Sequence, residues 1–335
     1  MERACKELFQ GLRDAIRRLS MELRKDYLLD KYVIVAADRA KRPSDFMKEK
    51  EEERNNNICP FCPGNEHMTP EETGRHHENN GWKIRWFTNK FPAVEMSKGD
   101  GVIRTDKDFF TYSDAHGVHE LIIDTPIHHQ QMWDLDSRHL ADLLGAYNYR
   151  TEELYRIPGI YYVAVFKNHG KEAGTSIYHS HSQVIGFNAV PSLVRELLDA
   201  CKHYDGCPFC RIIEAEMNSE RKVAETENFL SFAPYASVFP FEAWIFPKRH
   251  ARALGNLKDC FFELAHMLKG ILGSLKQLNC SYNIIFVNSP LDADLHFHIR
   301  VIPRISKQGG FEMLGSYINA VSPEQAAAFY RGEQS

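Results

Sequence analysis

Two short cysteine–histidine patterns are the most reactive feature of the sequence. Cys59-Pro60-Phe61-Cys62 recurs as Cys207-Pro208-Phe209-Cys210, and each copy is followed by a lone histidine and then by a His-x-His. A Cys-x-x-Cys turn presents two thiolates from one loop, and two histidines complete a tetrahedral zinc site. The spacing therefore predicts two four-ligand metal sites. The predicted ligands are Cys59, Cys62, His128 and His179 in the first site, and Cys207, Cys210, His250 and His296 in the second.

Four protein ligands leave no open position, so both metals are predicted to be structural. Zinc is expected at both sites, and iron is an alternative at the second. The sequence leaves open which histidine of each His-x-His binds metal. The competing interpretation is that the cysteines are buried thiols without a metal.

The segment from Asn168 to Gln183 combines a glycine- and serine-containing loop with the first His-x-His. Such a loop can place backbone N–H groups and the Ser176 hydroxyl around phosphate oxygens. Neutral imidazole can attack phosphorus, so His181 is a candidate nucleophile. Gln183, two residues further on a strand, faces the same side and can donate a hydrogen bond to a phosphoryl oxygen. The alternative is a histidine-rich strand that merely packs around the metal.

The second His-x-His lacks these accompaniments. His298 is followed by Arg300 where the first copy has Gln183, and residues 288–292 contain no glycine-rich loop. We therefore predict one reactive half and one degenerate half.

The repeated order of motifs indicates an internal duplication. We expect an amphipathic N-terminal helix in 1–30, a catalytic half in 31–195 and a second, metal-binding half in 196–335. The predicted class is α+β, with two mostly antiparallel sheet halves and flanking helices. Residues 48–57 and 64–81 are polar and are expected to form surface loops. The predicted strands are 32–36, 83–88, 120–124, 161–167, 181–187, 229–232, 243–246, 282–287 and 296–302, and the predicted helices are 138–156, 191–200 and 261–278.

Composition limits the functional classes. The 335 residues are 43% hydrophobic and 26% charged, with a net charge of −4. No apolar stretch approaches the roughly 18 residues that a membrane span needs, and the charged N-terminus does not resemble a signal peptide. We expect a cytoplasmic protein whose eight cysteines are thiols or metal ligands, without a membrane or nucleic-acid partner.

At these motifs the chain resembles the galactose-1-phosphate uridylyltransferase family of the histidine-triad superfamily. The Asn168–Gln183 segment carries the most specific similarity. Other matching segments are residues 35–43, 59–62, 87–93 and 324–327. The resemblance implies a duplicated histidine-triad-like fold and a homodimer.

The resemblance also implies a double displacement. UDP-glucose would give UMP to His181, and galactose 1-phosphate would then take the nucleotide. Gln183 would contact the reacting phosphoryl group, and Glu312 would contact the sugar. By matching positions, the nucleotide and phosphates would be held by Arg39, Arg42, Asn89, Asn168, Gly174, Ser176 and Gln183. The two arginines are alternatively exposed surface residues, and Asn89 is alternatively a turn residue.

Several residues depart from the family pattern, so the sequence does not decide the identity of the substrates. The usual His-Pro-His-Gly-Gln is here His179-Ser180-His181-Ser182-Gln183. This serine form also occurs in a branch resembling ADP-glucose phosphorylase and in some bacterial and archaeal uridylyltransferases. The C-terminal sugar-phosphate segment is Gly309-Gly310-Phe311-Glu312. One alternative is therefore an ADP-glucose or dinucleotide phosphorylase that uses inorganic phosphate. Another is a zinc-stabilised, non-enzymatic protein that binds nucleotides or nucleic acid.

Overall fold

The computed structural model describes residues 21–36, 58–78, 81–96 and 104–333. The strands are β1 Glu22–Lys25, β2 Tyr32–Val35, β3 Glu72–Glu78, β4 Gly81–Thr88, β5 Arg104–Asp106, β6 Phe110–Tyr112, β7 Gly117–Ile123, β8 Tyr162–His169, β9 His181–Phe187, β10 Lys222–Glu225, β11 Phe229–Phe232, β12 Ala243–Pro247, β13 Tyr282–Val287, β14 His298–Pro303 and β15 Ser316–Asn319. The α-helices are α1 Ser137–Tyr155, α2 Ser192–Cys201, α3 Pro208–Glu216, α4 Phe261–Leu278, α5 Gly310–Met313 and α6 Pro323–Tyr330. Short 3₁₀ helices span Glu66–Met68, Met132–Asp134, Lys171–Ala173 and Leu254–Cys260.

Ten strands form one continuous sheet in the order β10-β11-β12-β14-β13-β8-β9-β7-β4-β3. Every neighbouring pair in this sheet is antiparallel. The order is symmetric about its centre, because the two halves of the chain contain the same succession of elements. The first half contains β3, β4, β7, α1, β8 and β9, and the second contains β10, β11, β12, α4, β13 and β14 in the same relative places. The predicted α+β class is confirmed. The two halves share one sheet instead of forming two, because β8 pairs with β13.

Helices α1 and α4 cover one face of the sheet. Asp136 caps α1 by accepting a hydrogen bond from the His139 N–H group. Leu140, Leu144 and Tyr147 recur at helical spacing and are fully buried. They join apolar side chains of α4 and of the central strands in the largest hydrophobic cluster. This packing covers β8 and β9 on one face of the sheet. The predicted reactive residues lie on the opposite face of these two strands.

The opposite face of the sheet is covered differently in the two halves. In the second half, α2 and α3 pack over it and contribute Val194, Leu197 and Phe209 to a buried cluster. In the first half, a smaller cluster contains Phe61 of the first Cys-x-x-Cys loop and Phe87 of β4. The described residues therefore leave the first half's face less covered than that of the second half.

Two predictions about local structure need correction. Residues 1–20 of the predicted N-terminal helix lie outside the described residues, and within the rest of it Glu22–Lys25 is a strand. It pairs with β2, which also pairs with β15. The expected loop over 64–81 contains β3, an edge strand paired with β4. Its outward face is polar, so the sequence lacks the apolar alternation of a half-buried strand.

The predicted loop at 48–57 lies outside the described residues. Among the residues that the structure describes, no helix is long and apolar enough to cross a lipid bilayer.

Candidate active site and metal centres

The first Cys/His set forms a compact cluster between the loop at residues 59–62 and the start of β9. The Sγ atoms of Cys59 and Cys62 each lie 3.6 Å from Nδ1 of His179. The Cys62 sulfur also lies 3.2 Å from Nδ1 of His128. All four ligand atoms lie within 4.8 Å of one another. The structure thus brings His179, and not His181, to the cysteines.

The second set repeats this arrangement at the start of β14. Nδ1 of His296 lies 3.9 Å from the Cys207 sulfur and 3.6 Å from the Cys210 sulfur. The Cys210 sulfur lies 3.7 Å from Nδ1 of His250. These four ligand atoms also lie within 4.8 Å of one another.

Both donor sets fit a tetrahedral metal ion. Zinc–ligand lengths of about 2.3 Å to sulfur and 2.1 Å to nitrogen, at a tetrahedral angle, place the two atoms about 3.6 Å apart. Most of the sulfur–nitrogen distances lie near this value. The outer nitrogens are also held: Nε2–H of His179 donates to the Thr125 carbonyl at 2.7 Å, and that of His296 donates to the Pro247 carbonyl at 3.0 Å. Such partners turn Nδ1 of each ring toward the metal position.

His181 begins β9 and is held in a defined tautomer. Its Nδ1–H donates to the His179 carbonyl at 2.8 Å, so the lone pair of the neutral ring lies on Nε2. Burial lowers the pKa of His181 to about 4, and the charge of Lys167 acts in the same direction. The ring is therefore neutral near pH 7. Phe61 packs edge-on against it, with ring centroids 5.3 Å apart.

Gln183 and Asn168 share the face of the sheet on which His181 lies. Gln183 follows His181 by two residues on β9, and Phe166 of β8 is paired directly with Gln183. Asn168, two residues after Phe166, therefore points the same way. The Asn168 carbonyl oxygen Oδ1 accepts a 2.8 Å hydrogen bond from Nδ2 of Asn283, which belongs to the second half. Its NH₂ group is thereby directed away from Asn283.

The loop between β8 and β9 turns sharply through two glycines. Gly170 has φ +80°, and an added Cβ would lie 2.2 Å from the Ser281 hydroxyl oxygen. Gly174 has φ +86° and ends the 3₁₀ turn Lys171–Ala173. Ser176 is exposed in this loop. The neighbouring Thr175 hydroxyl is buried and has no hydrogen-bond partner among the described residues, which suits a ligand oxygen at this loop.

A buried ion pair between Lys167 and Asp124 lies beside β9, the reactive strand that begins with His181. Lys167 is 1% exposed and Asp124 is 0% exposed. Nζ of Lys167 donates to Asp124 Oδ2 at 2.7 Å, to the Ser180 hydroxyl at 2.8 Å and to the His181 carbonyl at 2.7 Å. The hydroxyls of Ser180 and Ser182 also donate to Asp124, each at 2.8 Å. Ser180 and Ser182 thus tie the His-x-His to the core.

The equivalent histidine of the second half is blocked. His298 is fully buried, and Nδ1–H donates to the His296 carbonyl at 3.1 Å, as in the first half. However, Nε of Arg300 donates to His298 Nε2 at 3.0 Å and occupies its lone pair. Phe246 also stacks on the ring, with centroids 4.7 Å apart. This half lacks an available nucleophile at the matching position.

The other residues predicted from the sequence are placed as follows. Asn89 lies beside the His119 ring, and its Oδ1 accepts the Phe91 N–H at 3.0 Å. The Glu312 carboxylate accepts the Gly309 N–H at 2.8 Å and so caps α5. Arg39 and Arg42 lie outside the described residues. Sequence reasoning missed Asp124, Lys167, Asn283 and His119. Lys167, a charged residue within an apolar strand, is the only one of these that its sequence context could have highlighted.

Comparison with known proteins gives consistent matches. A family model described as the N-terminal domain of galactose-1-phosphate uridyl transferase matches residues 13–191. The chain is 35% identical to an ADP-glucose phosphorylase of Arabidopsis thaliana, covering 95% of this chain and 94% of the relative. It is 30% identical to a galactose-1-phosphate uridylyltransferase of Thermotoga maritima, covering 92% and 96%. A solved structure of an Arabidopsis thaliana ADP-glucose phosphorylase with bound ADP-glucose matches with TM-score 0.79 and 34% identity, covering 94% of this chain and 99% of that one.

Proposed function

The chain belongs to the galactose-1-phosphate uridylyltransferase family, and on this premise we propose that it moves UMP between UDP-glucose and galactose 1-phosphate through His181. The observation that carries the proposal is the anchored His181 ring, with Gln183 and Asn168 on the same face of the sheet. As a member of this family, the chain is a nucleotidyltransferase, not a non-enzymatic binding protein.

The first half-reaction forms a bond between His181 and phosphorus. The Nε2 lone pair attacks the α-phosphorus of the nucleotide sugar, and the bond from phosphorus to the bridging oxygen breaks. The electron pair leaves with the sugar 1-phosphate. The Gln183 amide donates a hydrogen bond to a non-bridging oxygen as negative charge accumulates there. The nucleotide and its phosphates are held by Arg39, Arg42, Asn89, Asn168, Gly174 and Ser176.

The second half-reaction reverses these roles. A phosphate oxygen of the acceptor attacks the same phosphorus, the nitrogen–phosphorus bond breaks and its electron pair returns to Nε2. The Nδ1–H bond to the His179 carbonyl keeps the ring in one tautomer through both steps. Glu312 would contact the hexose.

A second candidate is phosphorolysis of ADP-glucose. It is favoured by the 35% identity to the Arabidopsis thaliana ADP-glucose phosphorylase, against 30% for the Thermotoga maritima uridylyltransferase. The Gly309-Gly310-Phe311 departure from the usual sugar-phosphate segment points the same way. The chemistry at His181 is unchanged, and inorganic phosphate replaces the sugar 1-phosphate as acceptor.

The remaining parts of the proposal concern metals and assembly. We assign a structural zinc ion to each Cys/His cluster, with iron as the alternative at the second, because both donor sets fit a closed tetrahedral site. Catalysis belongs to residues 31–195, and residues 196–335 supply the second metal site. The expected working form is a cytoplasmic homodimer that needs no nucleic-acid or membrane partner, and its mass in solution tests the dimer.

Four turnover assays test the proposal. Purified protein is given UDP-glucose or ADP-glucose, each with galactose 1-phosphate or with inorganic phosphate, and products are separated by chromatography. Formation of UDP-galactose supports uridylyl transfer, whereas ADP released from ADP-glucose and phosphate supports the phosphorylase. Absence of product in all four assays contradicts both.

A further inference from the structure

His119 of β7 connects the predicted catalytic glutamine to the protein scaffold. The residue is 7% exposed. Nε2 lies 3.0 Å from Oε1 of Gln183, and Nδ1 lies 3.1 Å from the backbone nitrogen of Ala93. Both ring nitrogens of His119 are thus engaged, one by a fixed backbone group and the other by Gln183.

The backbone contact determines the tautomer of His119. The Ala93 N–H can only donate, so Nδ1 of the histidine must accept and the proton of the neutral ring lies on Nε2. Burial lowers the pKa of His119, which keeps the ring neutral near pH 7. Nε2–H therefore donates to Oε1 of Gln183. The opposite orientation of the Gln183 amide would place two N–H donors against each other.

The loop containing Asn89 holds the His119 segment in place. The Asn89 backbone N–H donates to the His119 carbonyl at 2.7 Å. The Asn89 amide nitrogen Nδ2 lies 3.5 Å from Nδ1 and 3.3 Å from Nε2 of the ring, and Nδ1, which also accepts the Ala93 N–H, is the ring nitrogen that can accept from it. A residue predicted to hold nucleotide thus lies against the histidine that contacts Gln183.

We propose that His119 is a positioning residue that holds the Gln183 amide with its NH₂ group toward the phosphoryl group at His181. A glutamine amide that could rotate would present its carbonyl oxygen to the phosphoryl oxygens for part of the time, and that arrangement is repulsive. A fixed amide donates without reorganisation as charge develops. The inference rests on the proposed function, because it assigns Gln183 to the reacting phosphoryl group.

A double-mutant cycle on nucleotidyl-enzyme formation tests this role. Zinc-loaded wild-type protein, His119→Phe, Gln183→Ala and the double variant are mixed with UDP-glucose or ADP-glucose in a rapid-quench instrument, and adduct is followed by intact mass. We expect His119→Phe to slow loading by about 10- to 100-fold, with donor affinity changed by less than about 3-fold. In the Gln183→Ala background, His119→Phe should slow loading by less than about a further 2-fold, because His119 acts on the reaction only through Gln183.

Two further variants separate positioning from folding. His119→Gln retains an amide donor and should recover at least part of the lost rate. His116→Phe removes another buried histidine near the start of β7, whose Nε2–H donates to the Pro158 carbonyl, and should load at the wild-type rate. The inference is overturned if His119→Phe loads as fast as wild type. It is also overturned if the rate reductions caused by His119→Phe and Gln183→Ala multiply in the double variant. Wild-type protein that forms no adduct with either donor would instead overturn the proposed function, and this inference with it.

Discussion

Replacement of Lys167 by methionine tests whether the buried pair behind β9 supports the site. Methionine has a similar length but cannot donate a hydrogen bond. The change removes three donated hydrogen bonds at once, to Asp124, Ser180 and the His181 carbonyl. It also leaves the Asp124 carboxylate, 0% exposed, without its positive partner.

Removing one member of a buried ion pair costs about 3–5 kcal/mol, because the remaining charge stays desolvated. Asp124 keeps two hydroxyl donors, Ser180 and Ser182, so the lower end of this range applies. We therefore expect Lys167→Met to lower the free energy of unfolding by about 3 kcal/mol. The combination with Asp124→Asn should lose less than the sum of the single losses, because neither charge then remains buried alone.

Urea unfolding of the zinc-loaded protein, followed by tryptophan fluorescence, measures this loss. Lys83→Met is the matched control, since Lys83 pairs with the half-exposed Asp142 on the surface and its loss should cost less than about 1 kcal/mol. A Lys167→Met variant no less stable than Lys83→Met would refute the assignment of this network as a support of the reactive strand.

Three other changes have defined outcomes. Chelation of the metals should lower Tm by at least about 10 °C. Cys207→Ser should lower Tm more than Cys260→Ser does, and scanning calorimetry measures both effects. Burial alone would raise the pKa of Glu324, but Arg24 and Arg221 hold it below its usual value, so this carboxylate stabilises the fold above about pH 4 and less as pH falls further. Glu324→Gln should therefore be less stable than wild type at pH 7, by about 1–2 kcal/mol in urea unfolding, and the difference should shrink toward pH 3. His298→Phe should leave adduct formation within about 2-fold of wild type, because Arg300 already occupies that ring's lone pair; a larger loss would give the second half a direct role.

The sequence predicted what depends on local spacing. The Cys-x-x-Cys and His-x-His motifs predicted two Cys/His groups, and the structure brings these same residues together. Strongly apolar segments also gave correct bounds, as for β9, β11 and α4. Each motif and each of these segments is encoded within a few residues, and the repetition of the motifs in the same order indicated which cysteines and histidines belong together.

Contacts between distant strands could not be predicted in this way. His119 reaches Gln183, and Asp124 reaches Lys167, only because β7, β8 and β9 lie side by side in the sheet. One polar residue in an apolar strand does not indicate its partner across the sheet. The polar strand β3 was missed because it lies at the edge of the sheet and its sequence lacks the alternation of apolar residues that indicates a half-buried strand.

Covalent capture of nucleotide tests the proposed role of His181 as the nucleophile most directly. Zinc-loaded protein is mixed briefly with UDP-glucose or ADP-glucose without acceptor, and the adduct is located by intact mass and peptide fragmentation. We expect one UMP or AMP per chain, on the peptide containing His181, that is absent from His181→Ala and present in His298→Ala. An adduct that persists in His181→Ala, or that lies on another residue, would contradict it.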